Sequence, residues 1–338
     1  MRTVDVAVTG YGRIAREITS MLEARAAAYR ARHGVQVRIT GVCGSTAGLV
    51  DPAGLAPERL ADRSGFVHGL TGEAFLEAVR ADVLIEAGPS DYATGGAALG
   101  HLRWALARGL DAIAVSKGAL VVDLRGLLRL AAEHGGSLRF SGAAASALPT
   151  VDLLSHSLAG ATLQGFEAVL TGTAAFVLDQ MAAAGLGLSD AVALAQAQGI
   201  AEPDPSFDID GWDTAAKLVI IANAVFDADL RLDGLPREGI GAVTPGHVAQ
   251  WKSAGLTPRL VGVAEHDGGG FRAGVELRLY GEDHPFAQLR GSMKGLRAVT
   301  EEMGTLTVTG GASHPRATAA AALKDFEHLL AARHVPHQ

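Results

Sequence analysis

Val4-Asp5-Val6-Ala7-Val8-Thr9-Gly10-Tyr11-Gly12-Arg13-Ile14-Ala15 decides the fold. An apolar, β-branched run leads into a G-x-G-x-x-A turn, and a helical pattern follows from about Ile14 to Arg32. A dinucleotide pyrophosphate has to approach backbone N–H groups at a helix N-terminus, and side chains there obstruct it. Gly10 lets the chain turn out of the strand, Gly12 admits the pyrophosphate, and Ala15 lets helix and strand pack closely. Such a motif is weak by itself in a chain with 43 glycines. Its setting, after a strand and at the opening of a helix, sharpens it. Gly10, Tyr11, Gly12, Arg13 and Ile14 are the candidate cofactor contacts of this loop.

Working outward, strand and helix patterns alternate to about residue 140. Gln36–Val42, Asp82–Glu86, Asp111–Val115 and Ser137–Phe140 read as strands, with helices at about His101–Arg108 and Leu124–Glu133. This alternation predicts a parallel sheet with helices on both faces. The strands lack inside–outside alternation, as burial on both faces requires. The pattern then changes. Ser141–Ala147 reads as a Gly/Ala/Ser loop closed by Pro149, followed by a long helical region over about Val177–Gln198. An acidic loop, Glu202–Gly211, precedes a helix over about Asp213–Ala224. Strand-like runs at Arg259–Glu265, Phe271–Leu279, Gly295–Glu301 and Thr305–Thr309 predict an open sheet with helices on one face. Asp267–Gly270 reads as an exposed hairpin turn, and Arg316–Ala331 as the last helix.

Composition narrows the partners. A chain of 338 residues suggests about two domains, at roughly 100–200 residues each. Charged residues make up 19% and hydrophobic ones 48%, a globular balance. The net charge of −7 disfavours nucleic acid. Cys43 is the only cysteine, so no intramolecular disulfide and no cysteine-based zinc site is expected, and a cytoplasmic location fits. No signal-peptide pattern opens the chain. No apolar run approaches the roughly 20 residues that span a bilayer, so no membrane partner is expected. His247, His266, His284 and His314 show no metal-ligand spacing, and no metal is expected. The expected partner is a small molecule.

The residue closing the second strand normally chooses the cofactor, an acidic one reading the ribose 2′-OH of NAD. Here Cys43-Gly44-Ser45-Thr46 carries no carboxylate. Ser45 joins the candidate contacts, and Arg13 could reach a 2′-phosphate, so the cofactor is NADP or NAD with a weak lean to NADP.

Further segments, in order along the chain, carry a resemblance. Asp82-Val83-Leu84-Ile85-Glu86-Ala87-Gly88-Pro89-Ser90 is followed by Ile113-Ala114-Val115-Ser116-Lys117-Gly118-Ala119-Leu120 and by Phe140–Thr150. Val169-Leu170-Thr171-Gly172-Thr173 comes next. The most specific run is Gln198-Gly199-Ile200-Ala201-Glu202-Pro203-Asp204-Pro205 with Asp208-Ile209-Asp210-Gly211-Trp212-Asp213-Thr214-Ala215-Ala216-Lys217. Over nearly its whole length the chain resembles homoserine dehydrogenase, and the 198–217 run matches G-x-A-E-x-D-P … D-x-x-G-x-D-x-x-x-K almost position for position. The resemblance implies an α/β fold. An N-terminal Rossmann domain, residues 1–140 plus 311–338, would be completed by the returning C-terminal helix. Residues 141–310 would form a second α+β domain for substrate binding and dimerisation, making a homodimer. No regulatory domain is expected beyond this core.

The implied chemistry interconverts an aldehyde and an alcohol on a four-carbon amino acid. It needs a hydride carrier, a proton donor for the carbonyl oxygen, and groups that hold an ammonium and a carboxylate. Lys117 and Lys217 are the candidates for proton transfer and carbonyl polarisation, since a desolvated lysine suits proton transfer near neutral pH. Asp213, four residues before Lys217 on one helix face, would orient it. Glu202 and Asp208 would hold the substrate ammonium. Gly172 and Thr173 would offer an N–H and a hydroxyl. Gly88, Pro89, Ser116, Lys117 and Gly311 would contact the cofactor.

Four departures from the family pattern stand out. Ser116 and Thr171 replace asparagines. Ser141 replaces a glutamate that helps hold a monovalent cation, which implies a weaker or absent cation site. Gly310-Gly311-Ala312-Ser313-His314-Pro315-Arg316 is a looser form of the family's terminal glycine turn. Three readings follow: a divergent homoserine dehydrogenase, a paralogue acting on another short hydroxy amino acid or amino-acid aldehyde, and a non-catalytic dinucleotide sensor. The retained Lys117, Lys217, Glu202, Asp208 and Asp213 argue against the sensor.

Overall fold

The computed structural model describes residues 1–266, 268, 270–311 and 313–332. Part of the Asp267–Gly270 turn, Ala312 and residues 333–338 lie outside that description. The chain divides into two compact units, Met1–Ala147 with the segment from His314, and Leu148–Ser313.

The first unit is built on a seven-stranded sheet ordered β4-β3-β2-β1-β5-β6-β7. The strands are β1 (Arg2–Thr9), β2 (Val35–Cys43), β3 (Ala47–Val50), β4 (Val67–His68), β5 (Val83–Glu86), β6 (Asp111–Ala114) and β7 (Leu138–Arg139). The helices are α1 (Arg13–Ala24), α2 (Ala26–His33), α3 (Pro57–Ala61), α4 (Gly72–Ala78), α5 (Gly96–Leu106), α6 (Gly118–His134), α7 (Ser141–Ala145) and, from the end of the chain, α13 (Pro315–Ala332). β1 pairs in parallel with β2 on one side and with β5 on the other. The strand order therefore reverses between β1 and β5, the place where such sheets bind ligands beyond their carboxyl ends. Val6, Val8, Val83 and Ile85 are buried in a core that also takes in Ala15 and Ile18 of α1 and Phe326 of α13.

Three local expectations change. The helix after the glycine loop is broken at Arg25, and α2 turns Tyr29 fully inside, edge-on to Phe326 with ring centroids 5.5 Å apart. The chain doubles back after β2 into the antiparallel β3 and β4, too short and glycine-rich to stand out. Ser141–Ala147 is not a plain loop: Ser141–Ala145 form α7, and all five residues are buried. α7 packs against α13, and a Cβ on Gly142 would sit at ordinary contact distance, 3.4 Å, from the Thr318 carbonyl oxygen there.

The second unit carries a five-stranded sheet ordered β10-β9-β8-β11-β12. Its strands are β8 (Leu163–Val169), β9 (Leu256–His266), β10 (Phe271–Gly281), β11 (Lys294–Thr300) and β12 (Gly304–Gly310), and every pairing is antiparallel. The helices are α8 (Gly172–Ala184), α9 (Leu188–Ala197), α10 (Ser206–Ile209), α11 (Trp212–Phe226) and α12 (Pro245–Ser253). The expected long helix over 177–198 is two helices bent by 118°, because Gly185 closes α8 in a left-handed conformation, φ 66°, the common glycine stop. β8, the central strand, escapes sequence reading because it carries Gln164, Gly165 and Glu167. The Glu167 carboxylate is buried, and it accepts from the Tyr280 hydroxyl at 2.7 Å and from Arg278 at 3.0 Å. Phe166, on the opposite side of the strand, stacks on Phe226 of α11. Among the described residues no single helix is long and apolar enough to cross a membrane.

Candidate active site

The glycine loop in the first unit has two glycines with different duties. Gly10 has φ +75°, and a Cβ there would lie 2.2 Å from the Gly88 nitrogen, so main chain has to pass against main chain. A Cβ on Gly12 would meet nothing closer than the Gly10 carbonyl oxygen at 3.8 Å. Its missing side chain leaves open space at the uncapped head of α1, where unpaired N–H groups and the helix dipole favour an anion. This cradle fits a dinucleotide pyrophosphate. Ile14 is half-buried beside it and Arg13 is exposed. Tyr11 serves the loop's shape: its ring is buried and stacks on Phe66 at 5.9 Å, and its N–H donates to the Cys43 carbonyl at 2.9 Å. Ser45 is exposed at the tip of the tight β2–β3 turn, which the Gly44 N–H closes on the Ala47 carbonyl at 2.9 Å.

The ends of β5 and β6 form the neighbouring wall. Gly88 is half-buried and Pro89 exposed. Ser116 is buried, and its hydroxyl donates to Glu86 at 2.5 Å. Lys117 is half-buried at the head of α6, its N–H donating to the Ser90 hydroxyl at 2.9 Å. Gly118 has to be glycine, because a Cβ would lie 2.4 Å from the Asp91 carbonyl oxygen.

In the second unit the head of α11 and the end of β8 build a bonded cluster. Asp213 and Lys217 sit one turn apart on α11, paired through the Asp213 carboxylate. Lys217 Nζ also donates to the Leu170 carbonyl at 2.8 Å. The Thr171 hydroxyl donates to the same Asp213 carboxylate at 3.0 Å and bonds the Thr214 hydroxyl at 3.0 Å. An ammonium has three N–H donors; among the described residues two are engaged, which leaves one for a ligand. Gly172 and Thr173 follow at the head of α8. A Cβ on Gly172 would press on Ser292 at 2.8 Å, and the Thr173 hydroxyl donates to the Ile200 carbonyl at 3.3 Å. That bond ties α8 to the start of the acidic run, in which Glu202 is exposed and Asp208 half-buried on α10. Gly311, φ +76°, packs on the main chain of Leu148, where a Cβ would lie 2.9 Å from its nitrogen. Its conformation and this close packing both call for glycine.

Sequence models of the homoserine dehydrogenase family match residues 149–326, and those of its NAD-binding domain match residues 10–141. The chain is 32% identical to the NAD(+)-dependent homoserine dehydrogenase of Pseudomonas canavaninivorans, with 97% of each chain covered. It is 26% identical to homoserine dehydrogenase of Methanocaldococcus jannaschii, over 96% of this chain and 98% of that one. Among solved structures, a protein of Archaeoglobus fulgidus described as a candidate homoserine dehydrogenase superposes with a TM-score of 0.88 at 26% identity, covering 97% and 99% of the two chains. The chain belongs to the homoserine dehydrogenase family.

The family is one of NAD(P)-dependent oxidoreductases, and the α/β fold and dinucleotide unit expected from the sequence stand. Three features went unread. From the sequence Glu86 reads only as the last residue of a strand; it is that, and its buried carboxylate also holds Ser116 and Gly88. Thr171 reads in the sequence only as the replacement of an asparagine, whereas its hydroxyl supports Asp213. Ser141 donates its N–H and its hydroxyl to the fully buried carboxylate of Asp325 on α13, at 2.8 and 2.6 Å. Only a pairing across 184 residues reveals that bond, and no local pattern signals it.

Proposed function

We propose that this chain interconverts L-homoserine and L-aspartate 4-semialdehyde by hydride transfer with a nicotinamide dinucleotide. The observation that carries this reading is Lys217, held by Asp213 and the Leu170 carbonyl with one N–H to spare. The bound nicotinamide supplies the hydride acceptor or donor. Lys217 and Lys117 share proton transfer and carbonyl polarisation. In the reducing direction a lysine N–H donates to the carbonyl oxygen as that oxygen gains charge; in the oxidising direction the neutral amine takes the hydroxyl proton. The Asp213 carboxylate, braced by Thr171, fixes Lys217 Nζ. Glu202 and Asp208 supply negative charge for the substrate ammonium, and Gly172 and Thr173 add a main-chain N–H and a hydroxyl.

The lean to NADP rests on exposed Arg13 at the head of α1 and on the absence of a carboxylate in the 43–46 turn. The name of the Pseudomonas canavaninivorans relative favours NAD. The KM ratio for NAD+ and NADP+, in wild type and Arg13→Ala, decides between them. Because Ser141 is committed to Asp325, we expect turnover that added potassium or sodium does not stimulate. A homodimer and a cytoplasmic location belong to the same proposal, and sedimentation of the purified chain tests the first.

The deciding experiment is purified protein with L-homoserine and either cofactor, read by the appearance of reduced nicotinamide. No turnover with NAD+ or NADP+ at neutral and alkaline pH overturns the assignment. A panel of 3- and 4-hydroxy amino acids then identifies a paralogue with another substrate.

A further inference from the structure

Glu86 closes β5 at the point where the strand order of the first sheet reverses, and it is 1% exposed. One carboxylate oxygen accepts from the Gly88 N–H at 2.6 Å, and the other from the Ser116 hydroxyl at 2.5 Å. The Ser116 N–H bonds to it as well. Among the described residues no cation pairs with it. A buried carboxylate without a counter-charge costs stability unless several donors surround it. Such an arrangement persists when it holds something in place, and each of its donors lies on a segment the chemistry uses. Gly88 is the backbone against which Gly10 of the phosphate loop is pressed. Ser116 immediately precedes Lys117, whose N–H is tied in turn to Ser90.

We propose that Glu86 is a positioning residue for hydride transfer, a latch between the ends of β5 and β6 that fixes Gly88 under the phosphate loop and Lys117 at the head of α6. Ser116 is the donor that fits this latch. Its hydroxyl hangs from the residue whose own N–H points at the same carboxylate, so both bonds set one backbone position. A latch of this kind governs the distance and angle of cofactor and lysine together, and small errors in such geometry cost rate far more than binding. The inference rests on the assignment of Lys117 to the reaction.

The test uses Glu86→Gln and Ser116→Ala in the full chain, with Glu86→Ala as the more severe variant. Gln keeps the shape and one acceptor but cannot accept from all three donors. Expected for Glu86→Gln are a melting temperature within a few degrees of wild type and cofactor dissociation constants raised several-fold by calorimetry. We also expect kcat to fall about 10- to 100-fold, the range of a misplaced reacting geometry, with substrate KM little changed. With deuterated reduced cofactor the primary isotope effect on kcat should rise, because hydride transfer becomes the slow step. A loss of folded fraction would lower activity and leave the isotope effect alone. Ser116→Ala should move the same quantities less, and the double variant should show less than the sum, as partners in one contact do. Unchanged kcat, isotope effect and cofactor affinity in Glu86→Gln overturn the proposal. So does an activity loss that tracks the folded fraction, or additive Glu86 and Ser116 effects. If the wild-type chain turns over no amino alcohol, the activity assignment fails separately, and the calorimetric arm still judges the latch at Gly88.

Discussion

Lys217 Nζ is bonded at once to the Asp213 carboxylate one turn earlier on α11 and to the Leu170 carbonyl at the end of β8. An i, i+4 pair on an exposed helix face contributes only a few tenths of a kcal/mol. This one has both side chains 12% exposed, and the second bond reaches another element, so its geometry is defined beyond what a helix pair needs. Removing the amine by Lys217→Ala should lower kcat about 100- to 10,000-fold, the usual worth of a positioned proton donor. Cofactor affinity should be nearly unchanged, because Lys217 is proposed to act on the substrate carbonyl and not to hold the dinucleotide. Asp213→Asn keeps an acceptor but removes the charge, and its kcat should fall between the two. Steady-state kinetics beside calorimetric cofactor binding reads both; unaltered turnover in Lys217→Ala removes it from the mechanism.

The two loop glycines should fail in opposite ways. Alanine at position 10 is strained at φ +75° and collides with the Gly88 main chain, so it should cost more than about 1 kcal/mol of stability and displace the loop. Alanine at position 12 enters open space, so Gly12→Ala should keep the wild-type melting temperature and lose cofactor affinity at least tenfold. Melting curves with and without cofactor separate the two. A Gly12→Ala protein that binds the dinucleotide normally would show that the open space is not its seat.

The contrast between these glycines marks what the sequence can convey. The strand, turn and helix of 4–24 were legible because the constraints there are local: β-branched burial, a turn, a helix start. The Asp213–Lys217 pair was legible for the same reason, since four residues make one helical turn. Thr171, Leu170, Glu86 and Asp325 were not. Each acts on a partner 30 to 184 residues away, and their spacing carries no periodic signal. The second sheet was half legible, because β9 to β12 hold strand-like runs and β8 hides a buried glutamate under a polar pattern. Glycine breaks were missed where composition stayed apolar on both sides, as between α8 and α9.

Asp325 shows what such a distant bond contributes. Its carboxylate is fully buried and takes two bonds from Ser141. Hydrogen bonds to charged groups contribute about 1.5–3 kcal/mol each. Ser141→Ala removes one of the two and leaves the N–H in place, so it should cost about 2 kcal/mol. Asp325→Ala removes the acceptor of both Ser141 bonds and should cost about 3 kcal/mol or more. Urea denaturation measures both. Asp325→Ala with wild-type stability would mean that other contacts, among them Ser146 to Thr318 at 2.8 Å, keep α7 docked on α13.

Cys43 offers a reporter for the dinucleotide loop. It is buried at the end of β2, where its carbonyl accepts the Tyr11 N–H. Burial pushes its thiol up to about 12, against weaker lowering by main-chain bonds from Gly10 and Gly72. The thiolate is the reactive form, and at pH 7 a group titrating near 12 is ionised in roughly one molecule in 100,000. Native Cys43 should therefore resist disulfide reagents and react only when the β2 end opens. Bound cofactor stabilises the closed loop and not the opened one. At a free concentration of about 100 times its dissociation constant, it should therefore slow labelling about 100-fold. Urea below the unfolding midpoint should speed labelling, and cofactor should reverse that. Fast labelling of the folded chain, unaffected by cofactor, would mean that Cys43 is reached without opening the loop, and that the Tyr11–Cys43 bond does not couple this strand end to the phosphate site.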